Sequence, residues 1–306
     1  MNRPAPGPAD YALLGTLSLI WGSAFLLSKI AVADFDPLTL TALRQAIAFG
    51  CFVAVAFVIG TRWFRPSMGE HVLIAACALT GTVVPFTAIN WGVAVVDSGL
   101  AAILMGLMPL VVIVLAHFAT PDEKLSGPKV FGVLLGLVGL AILFWPALRD
   151  GLGRDVWRQL ALLGAATSYG VNALLVKRLV HRPPIAFFVM LTCWSVLFSA
   201  VLAFIVEAPF SASPSRDSLA ALAALGVMPT AGGAFLMFAL IERQGASFFG
   251  QINLLVPVAG FIIGVGLAGE RPGFGAVLAL GCIVAGLVVA RIGAGRAGRV
   301  PVAPQQ

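Results

Sequence analysis

Residues 21–29 read Trp-Gly-Ser-Ala-Phe-Leu-Leu-Ser-Lys, and residues 169–177 read Tyr-Gly-Val-Asn-Ala-Leu-Leu-Val-Lys. An aromatic-glycine pair, a Leu-Leu pair and a lysine thus recur 148 positions apart (169 minus 21). The same offset, without a gap, places Pro66-Ser67 on Pro214-Ser215, Thr82 on Thr230, Pro109 on Pro257 and Asp122 on Glu270. Overall identity between the two halves is low. The repeat rests on glycine, proline and charge landmarks that keep one register, and a repeat of this length decides architecture before any local feature does.

The surrounding composition sets the medium in which that repeat folds. Of 306 residues, 60% are apolar and 10% charged, and mean hydropathy is +1.02. A soluble protein carries about 25% charged residues, and a disordered chain is poor in apolar ones, so both classes are excluded. The chain reads as all-α and integral to a membrane. Apolar runs broken by charge, Pro or Gly give ten predicted spans, near 11–31, 38–60, 72–95, 99–118, 129–148, 157–177, 185–206, 218–241, 247–268 and 273–292. Ala31-Val32-Ala33 resembles a signal-cleavage site, but the preceding run is too long for a signal core and a second run follows at once, so the first span is read as retained.

Loop charge sets direction, because cytoplasmic loops carry the excess of Lys and Arg. With the N-terminus inside, that face holds Arg3, Arg62, Arg65, Lys124, Lys129, Lys177, Arg178, Arg182, Arg243, Arg291, Arg296 and Arg299. The other face holds half as many: Lys29, Arg149, Arg154, Arg158, Arg216 and Arg271. Residues 1–10 and 293–306 are therefore expected as cytoplasmic tails around repeats spanning 11–148 and 157–292. Five spans per repeat is an odd number, so the second copy enters the membrane from the opposite side and the repeats are inverted. That architecture belongs to many secondary transporters, whose substrate sites lie near the bilayer midplane where the repeats meet.

Other functions find little support. The basic residues are dispersed rather than gathered in a stripe, which argues against a nucleic-acid partner despite the net charge of +6. Cys51, Cys77, Cys193 and Cys282 lie singly in apolar runs, and His71, His117 and His181 fall at span ends with no HExxH motif, so neither a disulfide framework nor a metal centre is expected. No cofactor is expected, and the partners are a small-molecule substrate and the lipid bilayer, with room for a homo-oligomer. An intramembrane enzyme would need a cluster of acidic, His or Ser groups, and a pore would need charged rings or carbonyl filters; neither is visible.

Several of these landmarks also carry a family resemblance. Trp21-Gly22-Ser23 continuing to Lys29, the run Asp36-Pro37 to Arg44, Ala101 to Pro109, and Gly269-Glu270-Arg271 together resemble the EamA family of the drug/metabolite transporter superfamily. The resemblance implies a ten-helix bundle of two inverted five-helix repeats that moves amino acids or other small metabolites, usually outward across a bacterial inner membrane. Multidrug and nucleotide-sugar carriers of the same superfamily are the alternative. In the second half Thr192 stands where Arg44 maps, so any role of that arginine is not duplicated.

Candidate site residues are polar or bendable groups inside the spans. Trp21 and Tyr169, mid-span rather than interfacial, either line a cavity or form aromatic-over-glycine contacts. Asn172, Gln251 and Asn253 need partners, either on another helix or on a substrate, because an unpaired amide in an apolar medium costs about 2–7 kcal/mol; Asn90 and Trp91, nearer the outer end of the third span, are further candidates. Met105, with Met108 and Met237, offers an adaptable apolar wall. Pro109 and Pro257 are gating candidates, since each lacks the N–H that would bond the carbonyl of Met105 or Asn253. Arg44, the deepest charge, either holds a substrate carboxylate through two parallel bonds or anchors span ends through carbonyls or Asp34, Asp36 or Asp97. Lys29 and Glu270 read as loop-anchoring charges. No Asp, Glu or His falls at a span centre, which argues against a buried proton relay.

Overall fold

A computed structural model describes residues 5–119, 125–149, 154–179, 181–209 and 213–297, and among these the regular structure is entirely helical. The apolar helices are α1 (Pro8–Ala31), α2 (Pro37–Val58), α3 (Met68–Val93), α4 (Ser98–Ala119), α5 (Gly127–Arg149), α6 (Arg154–Val176), α7 (Pro184–Val206), α8 (Arg216–Gln244), α9 (Ile252–Leu267) and α10 (Phe274–Ala297). Helices are what this composition permits, because hydrocarbon offers no partner for an open backbone N–H or C=O. Starts are encoded locally. Pro8, Pro37 and Pro184 occupy first-turn positions where the missing N–H costs nothing. Ser67 and Ser215 cap α3 and α8, Ser67 reciprocally with Glu70.

Eight of the helices, α1 to α8, are long and apolar enough to cross a membrane, and two further apolar stretches, Ile252–Leu267 and Phe274–Ala290, are shorter. The expected ninth span, 247–268, is divided: a four-residue helical turn, Ala246–Phe249, precedes a break at Gly250-Gln251 before α9 begins.

The exterior is apolar, as lipid requires, with Phe57 and Phe118 90% and 80% exposed. Inside, small residues let backbones approach. A Cβ on Gly22 of α1 would fall 2.8 Å from the Gly260 nitrogen of α9, and α5 meets α10 through Gly132, Gly139, Ala279 and Gly286. The pairing is reciprocal between halves. Helix α1 packs on α8 and α9 while α6 packs on α3 and α4; α2 lies along α7, and α5 along α10.

Two helices depart from regular winding at mid-length, each through a π-helical segment, Leu79–Val83 in α3 and Gly226–Gly232 in α8. The 148-residue offset maps Leu79 to Val227 and Val83 to Ala231, so the segments are equivalent. Pro229 lies inside the second and Pro85 follows the first. The expected proline kinks differ between halves. Pro109 follows a break in α4 at Gly106-Leu107, whereas Pro257 lies within continuous α9, its ring against Gly106.

Candidate substrate site

At 1.5 Å per residue, Arg44 lies about 10 Å along α2 from Pro37, and both π segments lie near the middle of their helices. Burial there is severe for a cation. Arg44 is 5% exposed. Its Nε donates to Thr230 Oγ1 at 2.8 Å, and its Cζ stands 3.8 Å from the centroid of the Phe86 ring. Thr230, in the α8 π segment, in turn donates to the Leu225 carbonyl at 2.7 Å. Tyr169 lies close enough to Arg44 for electrostatic interaction, and its ring sits edge-on to Phe86 at 6.4 Å. Helices α2, α3, α6 and α8 therefore meet around one guanidinium.

The first helix of each half touches the π segment of the other. Trp21 Nε1 of α1 donates to the Pro229 carbonyl at 3.0 Å, and Ser168 Oγ of α6 donates to the Thr80 carbonyl at 2.8 Å. Asn172 Oδ1 accepts a bond from Thr80 Oγ1 at 3.4 Å, with its amide against Gly81. A π turn displaces carbonyls from their usual helical donors, and here two of them receive side chains from across the bundle. Trp21, Arg44 and Asn172 thus converge on the two segments, with Tyr169 against Phe86 just beyond the first.

The other candidates lie elsewhere. Asn90 is buried and donates to Thr41 Oγ1 at 3.1 Å and to the Pro37 carbonyl at 3.3 Å, tying α3 to the first turn of α2, while its Oδ1 has no partner. Trp91 is 38% exposed, with the Arg158 guanidinium 4.0 Å above its ring and bonded to its carbonyl. Met105 packs at the edge of the largest apolar cluster. Gln251, at the break before α9, and Asn253, in its first turn, are half-buried.

Two of the alternative anchors for Arg44, Asp34 and Asp97, are engaged otherwise, and the third, Asp36, is exposed at the start of α2. Asp34 accepts from the Ser215 backbone at 2.9 Å and its hydroxyl at 2.6 Å, and these bonds with Ser218 nearby hold its carboxyl down at about 2. Lys29 bridges Asp97 at 2.8 Å and Glu270 at 2.9 Å. Glu270 also accepts from Ser98 N, Ser98 Oγ and Gly99 N at 2.7, 2.8 and 2.9 Å, closing the start of α4 onto α1 and the loop before α10. Lys29 and Glu270 therefore meet as one clamp. Glu207 caps α2 through Leu38 and Thr39. At the opposite end, Arg182 pairs with Glu70, and Arg243 with Asp10.

Sequence reading missed Phe86 and Gln45, and did not single out Thr230 as a site residue. Gln45 is fully buried with neither amide atom partnered. A glutamine beside a mid-span arginine was the available signal.

An apolar exterior around a mid-depth polar centre defines a multi-pass membrane protein with an internal site. The chain belongs to the EamA-like transporter family, in the drug/metabolite transporter superfamily, whose family model matches residues 11–145 and again 156–292. It is 24% identical to the "Probable amino-acid metabolite efflux pump" of Escherichia coli (strain K12), over 86% of this chain and 88% of that one. It is 26% identical to the "Probable terminal-alkyne amino-acid exporter" of Streptantibioticus cattleyicolor, over 86% of each. A protein of known crystal structure shares the fold, with a TM-score of 0.67 over 94% of this chain and 99% of that chain, at 23% identity.

Proposed function

We propose that this protein is a secondary carrier of the bacterial inner membrane that exports or exchanges amino acids or related small metabolites by alternating access. The observation that carries the reading is the reciprocal contact at mid-depth: the first helix of each half donates a side-chain hydrogen bond to a carbonyl in or beside the π segment of the other. In this reading the chain crosses the membrane ten times, the divided ninth segment included, and the halves are inverted. The end contacts support that count, since each joins loops of the same parity: 1–2, 3–4 and 9–10 through Lys29, Asp97 and Glu270, and 2–3 with 6–7 through Arg182 and Glu70. Loop charge favours both termini in the cytoplasm, and in that orientation the Lys29–Glu270 clamp is the outer gate.

Movement between two states needs contacts that are closed in one and released in the other. The clamp joins α1, α4 and the loop before α10 at one end, and the Arg182–Glu70 and Arg243–Asp10 pairs join helices at the other. Opening one end while keeping the other exposes the mid-depth centre to one face at a time. The test is counterflow in sealed proteoliposomes loaded with unlabelled amino acids, purines or cationic drugs, following entry of labelled substrate with and without a pH gradient. Saturable amino-acid exchange indifferent to the gradient supports the reading. Exchange confined to cationic drugs and driven by the gradient overturns it.

A further inference from the structure

Among the described residues, Arg44 is a buried cation without a counter-charge. A guanidinium has five N–H donors; Nε–H is taken by a neutral hydroxyl, and no acceptor among the described residues meets the four on the η nitrogens. A charge at this depth is costly unless paired. Asp34, Asp97, Glu207 and Glu270, at the helix ends nearest it in sequence depth, are held by Ser215, Lys29, Thr39 and Ser98, and Asp36, about two turns before it at the start of α2, is exposed. Asp10 and Glu70 pair with arginines at the far end.

The surroundings hold the group rather than neutralise it. Thr230 fixes the Nε edge and Phe86 covers one face, so the guanidinium plane is set before any ligand arrives, which lowers the ordering cost of binding. Its free edge has the fork geometry that matches a carboxylate through two parallel bonds. The unpartnered polar atoms nearby on α2 and α3, both amide atoms of Gln45 and the Oδ1 of Asn90, are neutral. They compete for no charge.

We infer that Arg44 is the anion-reading group of the substrate site and that the substrate class is carboxylate-bearing: the carboxylate bridges the η nitrogens, and its side chain lies among Phe86, Tyr169 and Trp21. This rests on the carrier reading and narrows it. An α-ammonium meets only neutral acceptors, so recognition depends on the carboxylate far more than on the amine. Lysine at position 44 would supply a point charge without the fork, and glutamine would supply neither.

The experiment uses the full chain in proteoliposomes and two matched sets of probes: leucine with leucinamide and isoamylamine, and phenylalanine with phenylalaninamide and phenethylamine. For the unaltered protein, the free acids exchange and compete at least about tenfold better than their amides or amines, since a charged hydrogen bond is worth about 1.5–3 kcal/mol. Arg44→Gln loses acid exchange by about tenfold or more, and Arg44→Lys retains part of it. Amides and amines that exchange as well as the acids, or Arg44→Gln at the unaltered rate, overturn the proposal and leave the carrier standing. Absence of exchange for every probe with the unaltered protein overturns both. If Arg44→Gln fails to fold, the acid-to-amide ratio of the unaltered protein decides alone.

Discussion

Replacing Glu270 by glutamine tests the outer gate with nearly no change in shape. The carboxylate accepts four bonds, three at Oε1 and one, from Gly99 N, at Oε2. A glutamine keeps the most bonds with its oxygen at the Oε1 position, which turns its NH2 toward the Gly99 N–H. That leaves a buried donor unpaired, at about 1–3 kcal/mol. Lys29 loses one carboxylate but keeps Asp97, which adds about 1 kcal/mol at most. In the proposed carrier, roughly 3 kcal/mol withdrawn from the clamped end raises its open-to-closed ratio on the order of 100-fold.

Ser28 is a suitable reporter, because it sits beside Lys29, is fully buried and has no hydrogen-bond partner for its hydroxyl. Ser28→Cys therefore breaks no bond. In a background with Cys51, Cys77, Cys193 and Cys282 replaced, a membrane-impermeant maleimide applied outside should label residue 28 slowly. With Glu270→Gln the initial rate should rise on the order of 100-fold while the open state remains the minor one. A labelling rate within about twofold of background, together with a lowered melting temperature, would refute the gate and leave Glu270 a loop anchor.

Three further outcomes follow from the same geometry. Gly22→Ala should lower the melting temperature by several degrees, since the new Cβ meets Gly260 N at 2.8 Å and Ala259 Cβ at 2.9 Å, whereas Gly15→Ala, with open space around it, should not; thermal melting in detergent checks both. Arg44→Met should leave melting unchanged or raise it while abolishing amino-acid exchange, because removing an unpaired buried charge offsets the lost Thr230 bond; a drop of many degrees would mark Arg44 as a structural anchor. The outer end should resist acid. The Ser215 bonds hold Asp34 at about 2, and for Glu270 burial acts upward but the bonds from Gly99, Lys29 and Ser98 outweigh it and leave its carboxyl below the ordinary range. A depressed carboxyl stabilises the fold above its unfolded value and releases that stability only as pH falls through the folded one. Labelling of Ser28→Cys, expressed relative to a fully exposed cysteine at the same pH so that the falling thiolate fraction cancels, should therefore stay low at about pH 5 and rise only below about pH 4.

Much of this was legible from the order of residues. Apolar runs mark helices because lipid demands them, and the landmarks at one offset mark two halves whose family match now stands at 11–145 and 156–292. Mid-span Trp21 and Tyr169 pointed to a centre because aromatic residues in membranes otherwise gather at the interfaces. The π segments were not legible: one additional residue in a turn leaves a predominantly apolar helix with no broken periodicity to detect. Partners were equally hidden. Arg44 could have met Asp34 or Asp97 until the structure placed those carboxylates on Ser215 and Lys29. Trp91 carried no mark to separate it from Trp21, yet it lies under Arg158 at a helix end, because which side of an apolar helix faces inward depends on packing between halves.

Each π segment is, in effect, a one-residue insertion retained in a helix that would wind more comfortably without it. An extra residue turns everything beyond it by about 100° relative to a regular helix. In α3 that rotation orients Phe86 toward Arg44 and Asn90 toward Thr41; in α8 Thr230, within the segment itself, meets Arg44. Deleting one residue between Leu79 and Val83 would leave the composition, the length class and the hydropathy of α3 nearly untouched. It would nevertheless turn Phe86 and Asn90 away from α2 together. The two halves thus keep their polar centre through a fault in winding that each preserves for the other.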